Sequence, residues 1–295
     1  QCHAPSRGFN RTNLGFNKAL STEQIEALVD DFAAAARRAR AAGFDGVQLH
    51  AAHGYLLSRF ISPWHNRRDD AWGGDFERRL ALLKAIYGAI RRATGDDFPL
   101  AIKLNAHDGR PGRAGTLDLA TAVRIGRRLE RWGFDAIEVS AGVAEVGLGF
   151  YPTRGELPLD LGERFLRREF PFLRPVLPLY RRSLRRLGRR VAFDREQDEA
   201  YFFDEARAFA EALVIPVICV GGIRTLERAR QIVEDSPVAA VALARPLVRQ
   251  PNLPRAWSEG RKTAASCQSC NRCFVMVGLG HPLRCYSEKQ PEEAS

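Results

Sequence analysis

The chain has 295 residues, 45% apolar and 27% charged, the composition of a globular protein that can bury one long domain or two ordinary ones. No apolar run approaches the roughly 20 residues that cross a bilayer, and no signal-peptide pattern opens the sequence, so the expectation is a soluble, cytoplasmic protein rather than a membrane or secreted one. The net charge of +10 comes from arginine, which supplies 40 of the 45 basic residues.

The first twenty residues, QCHAPSRGFNRTNLGFNKAL, are polar and turn-rich and show no strand pattern. Residues 21–43 then read as a helix with its start signal attached. Ser21 can cap the first turn, Gln24 can reach back to it, Ile25, Leu28, Phe32 and Ala36 form the apolar face, and Gly43 ends it. A short strand, DGVQLH (45–50), follows. The unit of helix, Gly-Phe-Asp and apolar strand recurs, since AAGFDGVQLH (41–50) is echoed by RWGFDAIEVS (131–140). Further apolar runs are PLAIKLNA (99–106), IPVICVGG (215–222) and VAAVALAR (238–245), with helical patterns over 76–93, 118–132, 201–214 and 224–235. Strands that alternate with helices imply a parallel sheet with each strand buried on both faces. Polar residues at the carboxyl end of each strand favour a TIM (β/α)8 barrel over a doubly wound sheet, and the Rossmann glycine fingerprint is absent. Five strands are visible where a complete barrel has eight.

Ten arginines lie between Arg164 and Arg190. The block reads as the solvated face of one or two helices that turn Phe165, Leu166, Phe170 and Leu184 inward; the rival reading is a patch for nucleic acid or an acidic ligand. Of six cysteines, four crowd the C-terminus, which in a reducing compartment suggests metal rather than disulfides.

His50 and His53 fall at the carboxyl end of the first visible strand, where barrel enzymes hold their catalytic groups. Two imidazoles can donate to one substrate oxygen and polarise a carbonyl, and the Tyr55 phenol can supply a proton. A zinc site is the rival reading, and it lacks a nearby third ligand.

The segment from Ala41 to Arg79 resembles the signature of the Old Yellow Enzyme family of NAD(P)H:flavin oxidoreductases. The His-x-x-His pair and Gly54-Tyr55-Leu56 are followed in register by Ser62, Pro63, Asn66, Arg68, Asp70, Gly73 and Gly74. Trp72 stands where the family has Tyr, and Glu77 where it has Asn. The likeness continues through Ala4-Pro5-Ser6 and through ALARPLVRQPNL (242–253). It implies an FMN-dependent TIM barrel that reduces the C=C bond of an α,β-unsaturated carbonyl substrate with NADH or NADPH. By the same resemblance, His50 and His53 hold the carbonyl oxygen, Tyr55 protonates the α-carbon, and Lys103 lies by the flavin pyrimidine. Gly221 and Gly222 offer backbone N–H groups to the phosphate, and Arg245 pairs with it, although Ala244 stands where the family has Gly.

The run Cys267, Cys270, Cys273, Cys285 can bind an iron–sulfur cluster or zinc, and the remaining reading is four idle thiols. It is similar to the loop for a 4Fe-4S cluster in the dienoyl-CoA reductase branch of the family, except that the branch has three residues between its second and third cysteines. Residues 1–262 are therefore expected to be a partial FMN-binding barrel of about five βα units, and 263–295 a cysteine-rich tail. In the family, Ala-Pro-Ser follows the third strand, so the expectation is an N-terminally truncated barrel, closed by a preceding segment or by a second copy in a homo-oligomer. Two further classes stay open: an iron–sulfur electron-transfer or binding module without ene-reductase activity, and a nucleic-acid-binding protein that uses the arginine block and a zinc knuckle.

Overall fold

A computed structural model describes residues 3–10, 15–109, 115–143 and 199–287, together with Arg167 and Pro175. Apart from those two residues, the arginine block lies outside the described residues, as do Phe165, Leu166, Phe170 and Leu184, which were expected to turn inward. The chain divides into two compact units. One comprises Gln1–Phe150, Phe202–Val220 and Ser236–Val241, and the other Tyr151–Tyr201, Gly221–Asp235 and Ala242–Ser295. The expected division between residues 262 and 263 falls inside the second unit.

The N-terminal stretch corrects the sequence reading. Strands β1 (His3–Ala4), β2 (Gly8–Asn10) and β3 (Gly15–Ala19) form a small sheet in the order β1-β3-β2. The pattern was hidden because β3 inverts the usual polarity, burying Asn17 and leaving Phe16 68% exposed.

Helix α1 (Thr22–Ala41) begins as its sequence requires. The Ser21 hydroxyl accepts from the Gln24 N–H, and the Gln24 side chain accepts from the Ser21 N–H. Ile25 and Ala36 are buried on its inner face, and Leu28 and Phe32 half-buried. Next come β4 (Val47–Ala51), α2 (Leu56–Ile61), α3 (Phe76–Arg79), α4 (Ala81–Thr94), β5 (Leu100–Asn105), α5 (Leu119–Trp132), β6 (Ala136–Ser140), α6 (Phe203–Ala212) and β7 (Val217–Val220). The segment 76–93, expected as one helix, is two, divided at Leu80. Helix α4 buries Leu82, Leu83, Ile86, Ala89 and Ile90 along one stripe and packs against α1.

All five expected parallel strands are present. They lie side by side in the order β4-β5-β6-β7-β8, where β8 is Ala240–Ala242. The expectation that both strand faces are buried holds for β6, where Glu138 and Ser140 are buried beside Ile137 and Val139, and fails at β4. Leu49, Ala51, Leu100, Ile102, Leu104, Ile137 and Val139 form the buried apolar face. The alternate positions carry Gln48 and His50, Lys103 and Asn105, and Glu138 and Ser140, and here Gln48 and His50 are exposed. A strand that aims polar groups at a site cannot be apolar on both sides.

The Gly-Phe-Asp echo is real but not symmetric. Gly43 (φ 82°) and Gly133 (φ 98°) follow α1 and α5 in left-handed conformations. Phe134 is buried against Tyr87, with ring centroids 5.1 Å apart, whereas Phe44 is 66% exposed. The Asp135 carboxylate accepts from the Leu100 N–H at 2.7 Å and from Arg91 of α4 at 2.8 Å, locking α4 to the start of β5.

The second unit holds α7 (Leu226–Glu234), α8 (Arg245–Arg249), α9 (Leu253–Ser258) and α10 (Arg272–Gly278). One Glu199 oxygen accepts from the N–H groups of Arg224 and Thr225 and from the Thr225 hydroxyl, which fixes the entry to α7. Among the described residues no helix is long and apolar enough to cross a membrane.

Gly46 tests the packing at the base of the sheet. A Cβ there would lie 2.7 Å from the Pro99 carbonyl oxygen, the acceptor of the Val47 N–H. Replacing an unstrained glycine by alanine ordinarily stabilises by roughly 0.4–1 kcal/mol. Gly46→Ala should instead cost about 1–3 kcal/mol in urea unfolding, because backbone rather than a flexible side chain must yield.

Candidate active site

The register of the parallel sheet builds the candidate site. His50 of β4 stands opposite Lys103 of β5, which stands opposite Glu138 of β6. Beyond the end of β4 the chain turns sharply, and His53 adopts φ 65°, a left-handed conformation uncommon outside glycine. Its N–H donates to the Asn105 side chain at 3.1 Å, and Asn105 in turn donates to the Gly142 carbonyl at 3.2 Å. The His53 Nε2 lies 2.7 Å from the Ser140 hydroxyl. The two imidazoles meet edge to face with centroids 5.1 Å apart, and the Tyr55 ring is 5.0 Å from His50. Tyr55 is 56% exposed, in the extended residue before α2.

The electrostatics favour neutral rings. Burial, then the neighbouring His50 and then Lys103, push His53 down to about 3. His50 is also lowered, by desolvation and by Lys103, against a smaller upward pull from Glu138. Both imidazoles are thus uncharged near pH 7, a state in which each has one donor and one acceptor nitrogen. Lys103 Nζ lies 2.8 Å from one Glu138 oxygen, and Gln48 Nε2 donates to the other at 3.0 Å.

Sequence reasoning brought His50, His53, Tyr55 and Lys103 to this strand end, and the structure groups them there. It missed Gln48, Asn105, Glu138 and Ser140. Gln48 and Asn105 alternate with His50 and Lys103 on their own strands, a signal the sequence held, whereas Glu138 and Ser140 are marked only by their pairing with β5.

Much of the family-like signature between Ser62 and Gly74 is a brace. Arg68 donates to the carbonyls of Pro5 (2.8 Å) and Leu20 (2.7 Å), while the Arg67 N–H donates to the Ser6 hydroxyl at 2.8 Å. Asn66 donates to the carbonyls of Phe60 and Trp72, both at 2.8 Å. The buried Ser62 hydroxyl donates to the buried Asp108 carboxylate. The Ala-Pro-Ser segment is therefore tied to this loop by side-chain contacts.

The second unit carries the other expected groups. Gly221 (φ 129°) and Gly222 (φ 72°) both take conformations that glycine alone adopts readily, leaving their N–H groups uncovered by a Cβ. Arg245 opens α8, and its Nη1 donates to the Asn271 side chain at 2.7 Å and to the Ser269 carbonyl at 3.4 Å. Ser269 (φ 53°) and Asn271 (φ 56°) are themselves left-handed and buried. Cys267, Cys270, Cys273 and Cys285 all line one small cavity of about 20 Å³, together with Arg245 and Arg249. Burial, with smaller contributions from Cys267 and Cys270, pushes the Cys273 thiol up. Arg249 Nη1 lies 3.1 Å from Cys285 Sγ. Among the described residues, no three or more His, Cys, Asp or Glu side chains converge closely enough to hold a single metal ion. The fifth described cysteine, Cys219, is buried in β7.

Comparison with known proteins places the chain. Residues 3–137 match the NADH:flavin oxidoreductase / NADH oxidase family. The 4,4'-dithiodibutanoate disulfide reductase of Rhodococcus erythropolis is 31% identical over 94% of this chain and 65% of its own length. An NADH oxidase of Thermoanaerobacter brockii is 33% identical over 86% of this chain and 32% of its own. Among solved structures, a 2-naphthoyl-CoA reductase complex superposes with a TM-score of 0.75 at 21% identity, over 96% of this chain and 37% of that one. The old yellow enzyme homologue of Zymomonas mobilis gives 0.56 at 23% identity, over 89% of this chain and 61% of that one. The family match and these relatives support the NADH:flavin oxidoreductase / NADH oxidase family for this chain. Its fold is the α/β barrel type of that family, and it spans only 65% and 32% of the two curated relatives named above.

A titration tests the His53 environment. Its ring resonances should stay at their neutral positions well below pH 6.5 and move only near pH 3. Because the folded-state value is depressed, the unfolded chain binds the extra proton first, so stability should fall as pH drops from about 6.5 towards 3. His53→Gln should remove that part of the acid sensitivity.

Proposed function

We propose that this chain carries the flavin- and substrate-binding part of an FMN-dependent NAD(P)H oxidoreductase of the ene-reductase type. The supporting observation is the grouping of His50, His53 and Tyr55 at one strand end, with both imidazoles neutral and Lys103 on the adjoining strand. FMN, when bound, supplies the two-electron chemistry that takes hydride from NADH or NADPH and passes it to the β-carbon of an α,β-unsaturated carbonyl compound.

The chain's own residues do the rest. A neutral imidazole can donate one hydrogen bond, so His50 and His53 together orient a carbonyl oxygen and stabilise the negative charge that gathers on it. A protonated imidazole would instead risk transferring its proton outright, and the lowered values guard against that. The Tyr55 hydroxyl gives its proton to the α-carbon, which completes addition of one hydride and one proton across the double bond, and its exposure lets water reprotonate it. Lys103 would place positive charge beside the bound flavin and so favour its reduced form. Gly221 and Gly222 offer N–H groups to the FMN phosphate, and the Arg245 guanidinium pairs with it.

The four thiols that rim one cavity support the reading of the cysteine loop as the seat of a 4Fe-4S cluster. We assign Cys267, Cys270, Cys273 and Cys285 as the cluster ligands and residues 263–295 as the tail that carries them.

Visible absorption of the FMN-reconstituted protein tests the cofactor assignment, and variants test the roles. His50→Ala and His53→Ala should each weaken binding of simple phenols, which mimic the carbonyl oxygen, by about tenfold, a loss on the order of 1.4 kcal/mol. Flavin reduction by NADH should change little. Phenol affinity equal to that of the unaltered protein in both variants would refute the pair. For the loop, iron and acid-labile sulfide should co-purify anaerobically and fall together in Cys273→Ala; zinc in their place would overturn the cluster.

A further inference from the structure

The Lys103–Glu138 pair is costly to build. Glu138 is 7% exposed, and a carboxylate removed from water persists only where its charge and lone pairs are met. Two long side chains meet it. Lys103 Nζ approaches Oε1 at 2.8 Å from the adjoining strand, and Gln48 donates to Oε2 at 3.0 Å from two strands away. Gln48 lies opposite Ala101, which lies opposite Ala136, so the intervening side chains are methyl groups. The amide therefore crosses above Ala101 to reach the carboxylate. Three strands converge on one anion, an arrangement in excess of what stabilising the sheet requires. A leucine at position 138 would pack against its neighbours with no charge to satisfy.

We propose that Glu138 is a positioning residue that fixes the Lys103 ammonium at the strand end and offsets part of its charge, so that the pair sets the net field at the site. Gln48 holds the second oxygen and thereby keeps the first turned towards Lys103. The inference rests on the proposed placement of Lys103 beside the bound flavin. A lone ammonium there would stabilise the reduced ring more strongly; the carboxylate moderates it and holds the ammonium on a defined line. His50 stands opposite Lys103 in register and feels both charges, and His53 feels Lys103. The imidazoles thus report the same field independently of any cofactor.

The experiment compares the unaltered protein with E138Q, K103M and the double variant K103M/E138Q. With FMN bound, E138Q should move the reduction equilibrium about tenfold towards the reduced form, ~30 mV more positive for a two-electron couple. K103M should move it the other way. In the flavin-free proteins the His50 ring resonance should titrate at lower pH in E138Q and at higher pH in K103M. E138Q that leaves both the potential and the His50 titration unchanged would overturn the proposal. If the unaltered protein holds no FMN, only the flavin reading fails, and the His50 titrations still decide the role of Glu138. Should E138Q prove too unstable for these readings, the double variant decides, by whether it folds and by its midpoint in urea against those of the single variants. The double variant, which leaves no charge alone, should be more stable than E138Q, and a double variant less stable than both single ones would refute the pairing.

Discussion

The register of one parallel sheet governs the candidate site. His50, Lys103, Glu138 and Ile218 stand on a single rung across β4, β5, β6 and β7. Because side chains alternate, a slip of one residue in β5 would bring Ile102 or Leu104 into that row and drive the ammonium into the apolar face. The apolar face prevents this: Leu100, Ile102 and Leu104 are fully buried, and exchanging any of them for Lys103 would bury a charge among hydrocarbon. Hydrophobic burial on one side of the sheet thus fixes the polar chemistry on the other. The Asp135 carboxylate secures the lower end of the same strand by accepting from the Leu100 N–H and from Arg91.

The signature between Ser62 and Gly74 looks like a record of chemistry, but the contacts show mostly scaffolding. Arg68 gathers the carbonyls of Pro5 and Leu20, and Asn66 gathers those of Phe60 and Trp72. Each side chain satisfies backbone acceptors that a loop leaves without a ladder partner. Residue types that recur in a family signature can therefore mark where loops need internal support, with the reacting groups supplied from the neighbouring strand ends.

Legibility followed the strength of periodic signals. The capping box at Ser21 and the stripe of α4 were readable because their determinants lie within a few residues of each other. The five parallel strands were readable because their apolar runs end at glycine or polar residues. The three short N-terminal strands were not, since β3 buries Asn17 and exposes Phe16. Nor could local sequence separate Phe44 from Phe134, which share a tripeptide but differ in whether a tyrosine from α4 covers them. In the site, His50, His53 and Lys103 stood out by type and by resemblance. Glu138 and Ser140 did not, because a polar residue inside AIEVS acquires its meaning only from the partner strand. The family resemblance likewise supplied the roles given to Gly221, Gly222 and Arg245, which the residues alone leave open as a turn and a surface charge.

The left-handed turn at His53 is set from outside the string that contains it. Its backbone N–H is held by Asn105 of β5, its ring by Ser140 of β6, and Asn105 is in turn anchored to Gly142. A non-glycine residue at φ 65° carries a conformational cost on the order of 1–3 kcal/mol unless its surroundings hold it there. Grafting His-Ala-Ala-His onto another strand end would thus transfer the two imidazoles without their mutual orientation. The pair is a collective property of three neighbouring strands, and substitutions on β5 and β6 could re-aim it while leaving both histidines in place.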